Sequence, residues 1–422
     1  MRQIFLADKV IDCTGAAAIE KGAVLVEKGR IVAVGRQADM GVPDGAVMVE
    51  TRPGSTLMPG LIDSHVHIVY SGSENAAVAR AEQTDTSYPA MALRAAAHAQ
   101  LALASGFTAL RDMHAPGGVA IDLRNAIARG DVVGPRLSAC GRGLTVTGGH
   151  MDLPGYADHV SLDGFAHPCD GPDEFLKGVR VEARRGADFI KLNTAVGSRK
   201  VPGVYWRPEM NPAEIRAACD EAHAQGLYVA SHTSGGPPLT ATVANGVDCV
   251  EHAHWIDDEC IDLMAERGTF LVPTLLVNER NFEVELAPGQ TLSDWAYSSR
   301  DAKWVSLEKA RKAGVKIGAG TDAGFMVPHG TMHWRELALL VQGGFTEMEA
   351  IIAATRVNAE LMSLPVGVLA AGKLADLLVV DGDPLADISI LGDASRLTVF
   401  KDGFKVAEGG TLISSFPAEV AA

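Results

Sequence analysis

Cysteine is scarce in this chain: six in 422 residues, at positions 13, 140, 169, 219, 249 and 260. They form no C-x-x-C pair and no short-range framework, so a disulfide scaffold is excluded and a reduced, cytoplasmic protein is the expectation. No run of about 18 apolar residues occurs, so no membrane span is expected. The start, Met1-Arg2-Gln3-Ile4-Phe5-Leu6-Ala7-Asp8-Lys9, meets charge too soon to hold a signal-peptide core. Basic charge is short as well. Lys and Arg number 37 against 52 Asp and Glu, a net charge of −15. That leaves no cationic excess to displace counterions, and a nucleic-acid partner is not expected. Neither a G-x-S-x-G elbow nor an H-E-x-x-H helix is present, which removes the motifs of serine hydrolases and zincins. What the chain does have is apolar material, 47% of its residues, enough for a large core and too much for disorder. At this length a barrel with an appendage fits better than a single small module.

The first 56 residues read as short strands, with Ala23 to Glu27 and Ile31 to Val34 joined at Lys28-Gly29-Arg30. The far end repeats that grammar: Asp376 to Val380 is a strand run, and Thr398 to Lys401 turns at Asp402-Gly403 into Phe404 to Val406. Neither set buries a core alone, so residues 1–56 and 365–422 are expected to combine into one small β-sandwich domain. Between them, residues 57–364 alternate apolar strand runs with Ala-rich helical stretches, such as Met91 to Ala104 and Pro212 to Gln225. Eight strand candidates stand out: Thr56 to Ile62, Phe107 to Arg111, Arg136 to Cys140, Asp188 to Leu192, Tyr228 to Ser231, Cys249 to Glu251, Phe270 to Pro273 and Val315 to Gly320. Eight βα units predict a (β/α)8 TIM barrel, with a doubly wound sheet as the competitor.

Five of these runs end in metal-competent residues. The first leads to His65 and His67, which point the same way on an extended chain and can grip one cation. The fourth holds Lys191, the fifth leads to His232, the sixth to Glu251-His252, and the eighth to Gly320-Thr321-Asp322. Each alone is ordinary. A strand-end His often packs structurally, an Asp caps a helix, and a Lys snorkels. Together, at the end of the barrel where active sites form, they mark a catalytic centre.

This set resembles the amidohydrolase superfamily, from Pro59-Gly60-Leu61-Ile62-Asp63 to Gly372-Lys373-Leu374-Ala375-Asp376-Leu377. Gly148-Gly149-His150 and Glu251-His252 with Ile256-Asp257-Asp258-Glu259 are similar to its imidazolonepropionase-related branch, which holds prolidase-like dipeptidases, carboxypeptidase-like enzymes and ochratoxin-hydrolysing amidases. The resemblance implies two Zn²⁺ ions: one on His65, His67 and Asp322, the other on His232 and His252, with a carbamate on Lys191 bridging them. It implies a metal-activated hydroxide attacking a carbonyl, with Asp322 passing the proton to the leaving amine. His150 is expected at the substrate, and the resemblance also implies a homo-oligomer.

The expected substrate is a small molecule with an amide or peptide bond, a dipeptide or N-acyl amino acid. Dipeptidase relatives often carry Tyr two residues after the strand-five His; here Ser234 stands there. The stretch from Asn193 to Lys200, with Tyr205, Trp206 and Arg207 beyond it, is expected to form a pocket for an apolar acyl group with a carboxylate. His329 is a candidate for the rim, as is His333, and His254 for support behind the ligands. Three other readings stay open: a ring-amine deaminase, a lactone or carbamate hydrolase, and a scaffold without catalysis. The deaminase pattern calls for a Glu three residues after the strand-five His, where this chain has Gly235, and usually lacks the bridging Lys. Gly318-Ala319-Gly320-Thr321-Asp322-Ala323 matches a dinucleotide fingerprint only superficially, since it falls late in the chain and its Asp has another role.

Overall fold

The computed structural model describes residues 2–152, 159, 166–197, 203–285 and 294–413. Eight strands follow one another around a barrel: Leu61–Val66, Phe107–Asp112, Arg136–Ala139, Ile190–Val196, Val229–Gly235, Cys249–Trp255, Phe270–Val272 and Lys316–Ile317. The first three form one parallel sheet, and the fourth to the eighth run in order through another. Two seams close the ring. Asp188 N–H donates to Ala139 O at 2.9 Å between the third and fourth strands, and Asp322 N–H donates to His65 O at 2.8 Å between the eighth and first. The helices pack outside, so the strands are buried on both faces and read as nearly continuous apolar runs.

The helices start and stop where their ends are satisfied. Pro212–Ala224 opens on a capping box, in which Asn211 accepts from Glu214 N–H and Glu214 accepts from Asn211 N–H. Pro172–Arg185 has Asp173 and Glu174 in its first turn, Arg184 and Arg185 in its last, and Gly186 in the left-handed region after it. This charge order complements the helix dipole.

The two chain ends share one sheet, as expected. Its nine strands are continuously hydrogen-bonded, and Leu377–Val380 pairs antiparallel with Thr56–Pro59. Phe5, Val24, Leu57, Leu377 and Phe400 meet in its core. The Lys28-Gly29 and Asp402-Gly403 turns have positive φ at both central residues, the geometry that matches strand twist in a two-residue hairpin. The run from Thr56 to Ile62 is two strands rather than one. Thr56–Pro59 joins the terminal sheet, the chain breaks at Gly60, and Leu61 enters the barrel. Gly60 suits that junction because a Cβ there would meet the Thr108 hydroxyl at 2.2 Å. The fourth, fifth and sixth strands also run beyond the expected ends, to Val196, Gly235 and Trp255. Polar side chains end the apolar run there while the backbone ladder continues.

Candidate metal centre

His65, His67, Lys191, His232, His252 and Asp322 come together at one cavity of about 650 Å³, although they derive from the first, fourth, fifth, sixth and eighth strands and the turns after them. His65 Nε2 lies 3.5 Å and His67 Nε2 3.2 Å from Asp322 Oδ1, and His252 Nδ1 lies 4.0 Å from Asp322 Oδ2. His65, His252 and Asp322 offer ligand atoms within 4.8 Å of one another. The His232 and His252 rings are 4.4 Å apart. Gly320 permits the close approach of the eighth strand, since a Cβ there would sit 2.7 Å from that of His65. Asp322 and His252 adopt left-handed backbone, with φ of 61° and 71°. Such strain in a non-glycine residue persists where surrounding contacts over-determine it.

Supporting contacts fix the rings. His65 Nδ1 is 2.7 Å from Glu251 Oε2, and Arg111 Nη2 is 2.6 Å from Glu251 Oε1. Burial would raise the Glu251 carboxyl, but Arg111 and His65 overcome it and hold the group at about 2. Glu251 is therefore an anion, so Nδ1 of His65 is the donor in this contact, which orients the ring with its Nε2 edge toward Asp322. The Asp63 carboxylate accepts from His65 N–H at 3.0 Å and from the Thr321 hydroxyl at 2.6 Å, tying the first strand to the eighth. His252 Nδ1 pairs with Thr274 Oγ1 at 2.7 Å.

These side chains fit a cation. Asp322 Oδ1 makes no hydrogen bond despite its burial, although His65 Nε2 and His67 Nε2 lie 3.5 and 3.2 Å from it. A buried carboxylate oxygen without a hydrogen bond is costly unless positive charge lies beside it. Burial lowers His67, and lowers His232 and His252 well below the usual imidazole range, which leaves the neutral form that binds metals. Asp322 stays low because His65, His67 and Lys191 outweigh its desolvation. Burial also lowers Lys191, whose amine has no hydrogen-bond partner among the described residues.

The other expected residues divide. His150 lines the cavity, its ring stacked 4.1 Å from that of His232 and its N–H donating to Glu209 Oε2 at 2.7 Å. Ser234 lines it too, accepting from Gly197 N–H, and so does His254. Tyr205, Trp206 and Arg207 stand outside the lining. Tyr205 donates to Asp294 and packs with Trp206 on Trp255, while Arg207 pairs with Glu209 at 2.9 Å. Here Arg207–Pro208 returns antiparallel along the fourth strand and carries the Arg side chain to the surface. His329 bonds Tyr70 O at 3.1 Å and stacks on His98, and His333 Nδ1 lies 2.9 Å from Asp63 Oδ2. Arg199 and Lys200 lie outside the described residues. Sequence reading missed Arg111, Glu251 as a support, His114, Thr274 and Lys303. Arg111 left one signal, a cation at the end of an apolar barrel strand.

A (β/α)8 barrel with imidazoles and a carboxylate converging on a cavity at its strand ends defines a metal-dependent hydrolase. The chain belongs to the amidohydrolase family, whose model matches residues 56–406. It is 29% identical over 411 residues to the ochratoxinase of Aspergillus niger, covering 92% of this chain and 83% of that protein. A solved Xaa-Pro dipeptidase with methionine bound in its active site is 30% identical, with a TM-score of 0.82, over 96% of this chain and 99% of the other. A prolidase solved with N-methylphosphonate-L-proline is likewise 30% identical, with a TM-score of 0.83 over the same shares. No described helix is long and apolar enough to cross a membrane.

Proposed function

We propose that this protein hydrolyses the amide bond of a dipeptide or N-acyl amino acid, with ochratoxin-type amides in the same substrate class. The observation that carries the reading is the convergence of His65, His67, Lys191, His232, His252 and Asp322 on a cavity whose walls include Val196, Val277, Trp295 and Phe325. A lining that combines these polar groups with apolar walls suits a substrate with a reacting carbonyl and an apolar side group. The relatives named above, an ochratoxinase and two prolidase-type enzymes, support the same substrate class.

In this reading His65, His67 and Asp322 would hold one Zn²⁺ and His232 and His252 a second, with Lys191, as a carbamate, supplying anionic oxygens to the centre. Burial lowers the Lys191 ammonium, which favours the amine form that takes up carbon dioxide. The chemistry two such ions supply is an acidified water and a polarised carbonyl. Asp322, ionised and strained into the cavity, accepts the water's proton and returns it to the leaving amine. His150, stacked against His232, faces the substrate, and Ser234, at the cavity wall, accepts from Gly197 N–H. The deaminase alternative is weakened at Gly235. A Cβ at that position would meet Trp255 O at 2.3 Å, so no side chain can be presented from it. A lactone or carbamate ester would meet the same centre. A cytoplasmic homo-oligomer completes the proposal.

The test is a mass-spectrometric screen of the zinc-loaded enzyme against dipeptides, N-acyl amino acids, lactones and ring amines, with Asp322→Asn as control. Release of a C-terminal amino acid by the wild type, with metal retained and turnover lost by about 10²-fold or more in the variant, is the expected result. Ammonia from ring amines without amide cleavage would replace this reading by deamination. Turnover undiminished in the variant would end the proton-transfer role of Asp322.

A further inference from the structure

Resting on the amide-hydrolase reading, a substrate that releases a free amino acid brings a carboxylate into the cavity, and a cation is needed to receive it. Arg207, the described cation expected for that purpose, points away to Glu209. Among the described residues that line the cavity, the cationic side chains are Lys191, within the centre itself, and Lys303. Lys303 sits on the helix Asp294–Lys312, which also brings Trp295 to the wall, and it is 2% exposed.

We infer that Lys303 anchors the carboxylate of the substrate's leaving amino acid. Its Nζ donates to Pro273 O at 2.7 Å and to Thr274 O at 3.2 Å, on the turn that follows the seventh strand. An ammonium has three protons, and these carbonyls take two. No carboxylate among the described residues lies within ion-pair distance of it. Glu336, which shares its surroundings, spends its two oxygens on Leu275 N–H and Leu276 N–H, at 2.9 and 2.7 Å. Lys303 is thus a buried amine held by two carbonyls at the cavity wall, with no carboxylate of the described residues in direct contact. A buried charge in that state is costly until an anion reaches it, and a charge-assisted hydrogen bond is the strong kind. Burial lowers the Lys303 ammonium, in keeping with a charge that a bound carboxylate would restore. The two carbonyls also hold Nζ beside Thr274, whose hydroxyl meets His252, so the anchored end of the substrate lies next to the metal ligands.

The experiment compares cleavage of dipeptides with a free C-terminal carboxylate and the same dipeptides as C-terminal amides, in wild type, Lys303→Gln and Lys303→Met. The readout is the ratio of kcat/KM for acid over amide, from which any general damage to the fold cancels. The wild-type ratio should be on the order of 10 to 100, the scale of one charge-assisted bond, and should fall to about one in both variants, mainly through KM. Calorimetry with L-methionine and L-methionine amide gives a second reading that needs no turnover: the wild type should prefer the acid, and Lys303→Gln should not. If the wild type cleaves no amide yet prefers L-methionine in a Lys303-dependent way, the amidase reading fails and the anchor stands. If acid and amide lose equally in the variants, or the wild type shows no preference, Lys303 only braces the turn and the proposal is overturned.

Discussion

Replacing Arg111 by Met tests whether the centre depends on a buried ion pair. Arg111 and Glu251 are both fully buried, 2.6 Å apart, and the carboxylate has His65 on its other oxygen. The carboxyl sits at about 2 instead of 4.5, and that gap corresponds to about 3 kcal/mol of stability at 1.36 kcal/mol per decade. Removing one partner of a buried pair independently predicts about 3 to 5 kcal/mol, because the other charge is left without compensation. The sign follows from the lowered pKa. The contribution is complete above 4.5, where the unfolded carboxyl is ionised, and disappears as pH falls through about 2. Urea unfolding followed by tryptophan fluorescence should therefore show Arg111→Met losing about 3 kcal/mol at pH 7, with the deficit shrinking steadily below pH 4.5. Adding Glu251→Gln should restore most of the loss. A deficit that is the same at pH 3 and pH 7, or a double variant no better than the single, would show that Arg111 acts through packing and not charge.

Thr274→Val removes the partner of His252 Nδ1 and should weaken metal binding by about 10- to 100-fold in a chelator competition, with little change in unfolding of the metal-free protein. If the centre holds two ions as proposed, Lys191→Met should lower the metal content of the purified enzyme below that of the wild type, which elemental analysis reads directly; an unchanged content would remove the carbamate from the centre. The metal-free protein should lose stability as pH falls below 6.5, since His67, His232 and His252 are held below that value by burial while their unfolded counterparts take up protons first. Thermal unfolding that is flat between pH 7 and pH 5 would contradict neutral imidazoles in the fold.

The grouping of these side chains at one cavity was legible because barrel geometry converts order along the chain into position around a ring. Each polar residue following an apolar strand run falls on the same rim, so His65, Lys191, His232, His252 and Asp322 could be grouped without any contact being known. The hairpins of the terminal sheet were legible for a similar local reason, since Lys28-Gly29 and Asp402-Gly403 carry their turn type in the sequence. Contacts across the ring were not. Arg111 and Glu251 meet over 140 positions, and nothing local in either strand announces the other. Proximity in sequence misled in the opposite direction: Tyr205, Trp206 and Arg207 follow the fourth strand closely, but the chain doubles back on that strand and turns Arg207 to the surface. Lys303 lies in the middle of a helix rather than at a strand end, where it reads as an ordinary amphipathic position. Strand-end chemistry can be read from order alone, whereas the groups that support it, and those that receive the substrate beyond it, depend on which helix packs over which turn.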